Sequence, residues 1–142
     1  MRKIFVYGLL LLATSLFAEG INWAKDYNSA IETAKKEHKP VMFVISRHTC
    51  KYCIILENTT FSDERVIKAL NKDFVSVISY TDDRDYIPAG MYQGSTPSTW
   101  FLYSDGEPMY RAVVGAIGTQ NFLGGIKTVK EKFDTTNNGI IK

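Results

Sequence analysis

Apolar positions along this chain change their spacing several times, and each change marks an element. Between residues 22 and 39 they fall three and four apart, at Trp23, Tyr27, Ala30, Ile31 and Ala34, with charges elsewhere. That spacing predicts an amphipathic helix, with Asn22 as its N-cap and Pro40 closing it. Residues 41–46 (Val-Met-Phe-Val-Ile-Ser) are too few and too apolar for a surface helix and predict a buried central strand. A second helix is expected to start at Thr49 as N-cap and to carry Cys50, Cys53, Ile54, Leu56 and Glu57. Asn58-Thr59-Thr60 weakens it. Ser62 then caps a helix over residues 63–71, with acidic residues in its first turn and Val66, Ile67 and Leu70 on its inner face.

Residues 74–79 read as a second strand, and residues 80–96 have no regular pattern. Residues 98–103 predict a third strand, Ser104-Asp105-Gly106 a hairpin turn, and residues 109–114 a fourth strand antiparallel to the third. Gly115 ends it. Thr119 caps a last helix to about Phe133, with Phe122, Leu123, Ile126 and Val129 on one face. Helices linking parallel strands, then an antiparallel hairpin and a closing helix, describe a three-layer α/β domain with a mixed sheet of about four strands.

Composition changes this picture only at the N-terminus. The chain is 45% hydrophobic and 23% charged, as an ordinary globular protein is. Arg2 and Lys3 are followed by residues 4–17 without a charge, then Ala18 and the polar Glu19. This is the pattern of a secretory signal peptide. Fourteen uncharged residues reach only about 21 Å as a helix, short of the ~30 Å hydrocarbon core, so a membrane anchor is disfavoured. We expect residues 1–18 to be a cleaved signal, with a cut after Gly20 as the alternative, residues 19–133 a single domain, and residues 134–142 a flexible tail. Arg2 and Lys3 account for the excess of 17 basic over 15 acidic residues, so the remaining chain is balanced. No run of Lys and Arg suggests a nucleic-acid partner. An exported, periplasmic-type location and a monomer are expected.

The chemistry centres on Cys50-Lys51-Tyr52-Cys53, which holds both cysteines of the chain. Residues three apart share one face of a helix, which lets two sulfurs meet; on a strand they would point apart. At a helix start, free N–H groups and the dipole favour a thiolate at Cys50 over Cys53, and His48 and Lys51 add positive charge. Cys50 is therefore the expected nucleophile and Cys53 the shielded resolving thiol. A plain stabilising disulfide gains little from so small a loop. Zinc would need His38 or His48 to join the cysteines, and covalent haem a His where Ile54 stands. Asp82, Asp83 and Asp85 lack the Gly and Glu of a calcium loop and read as a solvated acidic loop. No metal is expected. Pro97, after Gly94-Ser95-Thr96, stands at a strand start, where a missing backbone donor is tolerated.

On these residues the chain resembles the thioredoxin-like superfamily, and within it the small exported members with one domain. The shared features are Cys50 and Cys53 at the first core helix, Pro97 after Thr96, Asp105-Gly106 in a late turn, and Gly115 ending the last strand. The resemblance implies a thioredoxin-like fold and thiol–disulfide exchange with client proteins. Cys50 would attack, Cys53 would resolve, and a cis Pro97 with Thr96 would hold the client strand by backbone contacts. Lys51 and Tyr52 become further candidate substrate contacts, and His48 and Thr49 candidate tuners of the thiol pKa. Exposed aromatics such as Tyr52 or Tyr92 suit client contacts.

No cofactor beyond the cysteine pair is implied; the partners would be clients with thiols or disulfides and a membrane or soluble redox partner. Three positions depart from the family pattern. Thr49 stands where Trp is usual, Val44 where a buried Asp is usual, and Lys51-Tyr52 replaces Gly-Pro. Tuning at such positions spans about 150 mV among relatives, so the direction of electron flow is left open, with a lean to reductase or isomerase duty. The competing class is a non-enzymatic binding module with a structural disulfide.

Overall fold

Val41–Ser46 forms the first strand, β1, and it lies at the centre of the molecule with every residue buried. The computed structural model describes residues 20–140. Around β1 run α1 (Tyr27–Glu37), α2 (Lys51–Asn58), a 3-10 turn (Thr60–Ser62), α3 (Glu64–Asp73), β2 (Val75–Tyr80), β3 (Ser98–Leu102), β4 (Val113–Val114) and α4 (Thr119–Ile140). The sheet order is β2-β1-β3-β4. β1 pairs parallel to β2, Val41 opposite Val75 and Ser46 opposite Tyr80, and antiparallel to β3, Val41 opposite Leu102. This is the mixed four-stranded sheet expected, flanked by four helices.

The alternation of a strand divides β1 between two layers. Met42 and Val44 join the layer of Leu56, Val66, Leu70, Phe122, Ile126 and Phe133, contributed by α2, α3 and α4. Val41, Phe43 and Ile45 face the other layer, with Ala30 and Ala34 of α1 and Trp100 of β3. The two alanines let α1 approach the sheet closely. The parallel β1–β2 pair needs a crossover, and α2 and α3 supply it, which places the start of α2 at the C-terminal end of β1.

Several boundaries differ from the sequence expectation. Asn22 does not cap α1. Its N–H donates to the Asn71 side chain at 2.8 Å, and Trp23 forms a parallel bridge with Ser76, Ala24 N–H donating to Ser76 O at 2.8 Å. The open edge of β2 therefore captures residues 22–24 as an extended segment. α1 starts later, with Asp26 as cap accepting from Ser29 N–H. Likewise Asp63, not Ser62, caps α3, because the Ser62 hydroxyl donates to Glu57 O at 2.7 Å.

The fourth strand is only two residues long. Met109 N–H still donates to Phe101 O, but pairing resumes only at Val113 and Val114. The Asp105-Gly106 turn is present, with Gly106 at φ 92° and its N–H donating to Tyr103 O at 3.0 Å. α4 continues to Ile140, through most of the segment expected as a tail. The expected signal segment lies outside the described residues. Among the described residues, no helix is long and apolar enough to cross a membrane.

Candidate active site

Cys50 is itself the N-cap of α2, a role the sequence reading gave to Thr49. Its backbone is extended (φ −86°, ψ 120°), its carbonyl accepts the Ile54 N–H at 3.1 Å, and its sulfur accepts the Cys53 N–H at 3.3 Å. A sulfur in that position takes up one of the donors a helix leaves free at its start, and negative charge there is favoured by the dipole. Thr49 is exposed in the turn before it.

Cys50 and Cys53 form a disulfide, with their Cα atoms 5.2 Å apart. Their surroundings differ. Cys50 is half-buried at the rim, while Cys53, in the first turn of α2, is fully buried. Lys51 and Tyr52 between them are exposed, Tyr52 by 58%.

The loop before β3 comes up against this cap. The Thr96–Pro97 peptide bond is cis, Pro97 is buried, and the Thr96 carbonyl oxygen lies 3.4 Å from Cys50 Sγ. The loop is tied down on both sides: Ser98 Oγ donates to Ser95 O at 2.7 Å, and Gly115 N–H donates to Pro97 O at 2.8 Å. Topology thus brings Cys50, Thr96 and Pro97 together.

His48 has partners of its own. Its ring stacks on Tyr80 with centroids 3.9 Å apart, Nε2 lies 2.8 Å from Asp83 Oδ2, and its backbone N–H donates to Asp82 at 3.0 Å. The hydrogen bond to Asp83, with the charges of Asp83 and Asp82 behind it, raises the His48 pKa against a smaller opposing effect of desolvation. Imidazole and both carboxylates lie with ligand-type atoms within 4.8 Å of one another, already engaged in these hydrogen bonds.

Sequence reasoning placed Glu57 on the motif helix but gave it no role. In the structure its Oε1 accepts from the Tyr80 hydroxyl at 2.5 Å, and Ser46 Oγ donates to Oε2 at 3.5 Å. Burial, reinforced by the bond to Glu57, pushes the Tyr80 hydroxyl pKa well above its usual value. The only sequence signal for this cluster was the spacing of Glu57, four residues after Cys53. Val44, where the resemblance would place a buried acid, packs in the apolar layer with Leu56.

A mixed sheet between helical layers, a Cys-x-x-Cys disulfide at a helix cap and an opposing cis-proline define a thioredoxin-like protein. The chain belongs to the Thioredox_DsbH family (Protein of unknown function, DUF255), whose model matches residues 11–142. It is similar to a thioredoxin from Thermus thermophilus, with a TM-score of 0.64 and 22% identity over 78% of this chain and 88% of that one. It is also similar in structure to a DsbH oxidoreductase, with a TM-score of 0.62 and 17% identity over 86% of this chain and 92% of that one. Spermatogenesis-associated protein 20 of Rattus norvegicus is 33% identical over 64 residues, 45% of this chain. The chain spans 8% of that relative's length.

Proposed function

We propose that the protein is an exported thiol–disulfide oxidoreductase that exchanges disulfides with client proteins, on the reductase or isomerase side. The observation that carries this reading is the asymmetry of the cysteine pair. Cys50 stands half-exposed at a helix cap beside the Thr96 carbonyl, and Cys53 is shielded one turn in. In the reduced protein, the Cys50 thiolate attacks a client disulfide, and Cys53 then displaces the client by forming the Cys50–Cys53 bond. The cysteine pair is the whole redox centre and takes no further cofactor. Thr96, set by the cis bond to the buried Pro97, offers its backbone carbonyl and N–H to an extended client segment, with Lys51 and Tyr52 on the open side. A membrane or soluble partner restores the dithiol. Arg2, Lys3 and the uncharged residues 4–17 support export.

A redox titration against glutathione tests the reading. We expect a potential within the range of exchange enzymes, and a value well below about −300 mV would instead mark a structural disulfide and a binding module. Export is checked by fractionating a Gram-negative host that expresses the full chain. Recovery of a shortened protein in the periplasm is expected, and an uncut cytoplasmic protein would refute it.

A further inference from the structure

The edge of the sheet carries a bulge, and a cavity lies at it. Leu102 bridges to Pro108 and Thr99 pairs with Val113. Between these points β3 has only Phe101 and Trp100, while the facing chain runs through residues 109–112, so the facing chain holds extra residues that find no partner. Bulges of this kind re-aim side chains and are frequent at sheet edges beside active sites. Here the bulge borders a cavity of about 350 Å³ lined by Gln93, Trp100, Arg111, Ala112 and Val114.

The cavity has an apolar wall and a cation. Trp100 is buried, and its Nε1–H, the only donor of an indole, is already given to Met91 O at 3.2 Å. Ala112 is half-buried against the α1-side layer, and Val114 adds an exposed apolar side chain. Arg111 and Gln93 are exposed, and among the described residues no carboxylate pairs with Arg111. A guanidinium offers a planar fork of donors and no acceptor, which a carboxylate matches with two parallel hydrogen bonds. The Gln93 amide brings a further donor to the same cavity.

This cavity adjoins the place where a client would dock. Val114 pairs with Ser98, the residue after Pro97, and the next residue, Gly115, donates its N–H to Pro97 O at 2.8 Å. Gln93 precedes Thr96 by three residues, which puts their Cα atoms at most about 11 Å apart. An extended client advances ~3.3 Å per residue, so a side chain three or four positions from its cysteine spans that distance. The other outer strand, β2, leads into Asp82, Asp83 and Asp85. A client carboxylate is thus repelled from one edge of the site and attracted to the other, which orients the docked segment.

We propose that Arg111, with Gln93, Trp100 and Val114, forms a subsite that selects an acidic side chain of the client, Glu or Asp, three or four residues from the cysteine under attack. The inference rests on the exchange reading and adds to it a preference among clients. The subsite acts on docking and leaves the exchange step itself to the two cysteines.

The test measures second-order rates of the reduced protein with peptides whose single cysteine is joined in a disulfide to thiopyridine, followed by the absorbance of the released pyridinethione. The peptides share one sequence and carry Glu, Gln or Lys at each position within four residues of the cysteine, on either side. At three or four residues, on one side, Glu should react about fivefold faster than Gln at low salt, and Lys more slowly than Gln. In Arg111→Gln the Glu peptide should fall to the rate of the Gln peptide, whose own rate stays at the wild-type value. Arg111→Glu should turn the preference toward Lys. A merely structural residue would change the rates of all peptides together and leave their ratio alone. Wild-type rates that do not separate Glu from Gln at any position overturn the inference and leave the exchange reading standing. A Glu preference that survives Arg111→Gln also overturns it. Wild-type protein that reacts with every peptide no faster than free dithiothreitol overturns the exchange reading itself, and this inference with it.

Discussion

Cys50 Sγ and the Thr96 carbonyl oxygen lie 3.4 Å apart, although 46 residues of chain separate them. In the reduced protein this carbonyl can accept the Cys50 thiol proton, which favours the neutral thiol, while the helix cap favours the thiolate. The two influences oppose each other at one sulfur. A client amide that takes the carbonyl removes the first and leaves the second, so client docking and activation of Cys50 are linked in the proposed reaction.

The asymmetry of the pair gives the first prediction. Alkylation of the reduced protein at mildly acid pH should label Cys50 before Cys53, because only Cys50 is both capped and accessible. Cys53→Ser should accumulate mixed disulfides with clients and Cys50→Ser should not. Equal trapping by the two variants, seen on non-reducing gels, would sink the assigned roles.

If Thr96 acts through its backbone, its side chain is dispensable. Thr96→Val keeps the carbonyl and the shape, so the rate of mixed-disulfide formation with a peptide disulfide should stay within about twofold of wild type. A loss of tenfold or more would mean that the hydroxyl, not the carbonyl, meets the client.

His48 should titrate above its ordinary value of 6.5 because of Asp83. A raised folded-state pKa means that this contact contributes stability fully present below the unfolded value and lost as pH rises through the folded one. Asp83→Asn should bring the ring titration down toward its ordinary position, as read by NMR. The cost of His48→Gln in thermal unfolding should be larger at about pH 5.5 than at about pH 8.5. An unmoved titration in Asp83→Asn would dismiss the ion pair.

Phe43 lies wholly buried on β1, with the Tyr27 ring edge-on at 5.1 Å. Truncation there leaves a cavity in the centre of the α1-side layer, so Phe43→Ala should cost about 3–5 kcal/mol in denaturant unfolding. Gly106→Ala should cost less, about 1–2 kcal/mol, since φ 92° is unfavourable for an L side chain. It would also bring a methyl to 2.9 Å from the Tyr27 hydroxyl, which can move aside. If Gly106→Ala proved the costlier change, the turn and not the strand would be the weak point of that layer.

The order of elements, the buried centre at β1 and the place of the cysteines at a helix start could be read from the chain. Each depends on periodicity within a short window, and a strand or helix that buries a face must repeat its apolar residues at that period. The same logic erred at Trp23. Its spacing suited a helix, but the free edge of β2 offered hydrogen bonds that an isolated window does not contain.

What the tertiary structure alone decided is which polar groups meet. Cys50 became its own helix cap because β1 ends four residues before it and the turn leaves its backbone extended. Glu57, Tyr80 and Ser46 come from a helix and two strands, and nothing in their local patterns joins them. Hydrophobic period records that a face is buried. The register of neighbouring strands and the landing of a helix across their ends determine what that face touches, and the surroundings of the cysteine motif are set there.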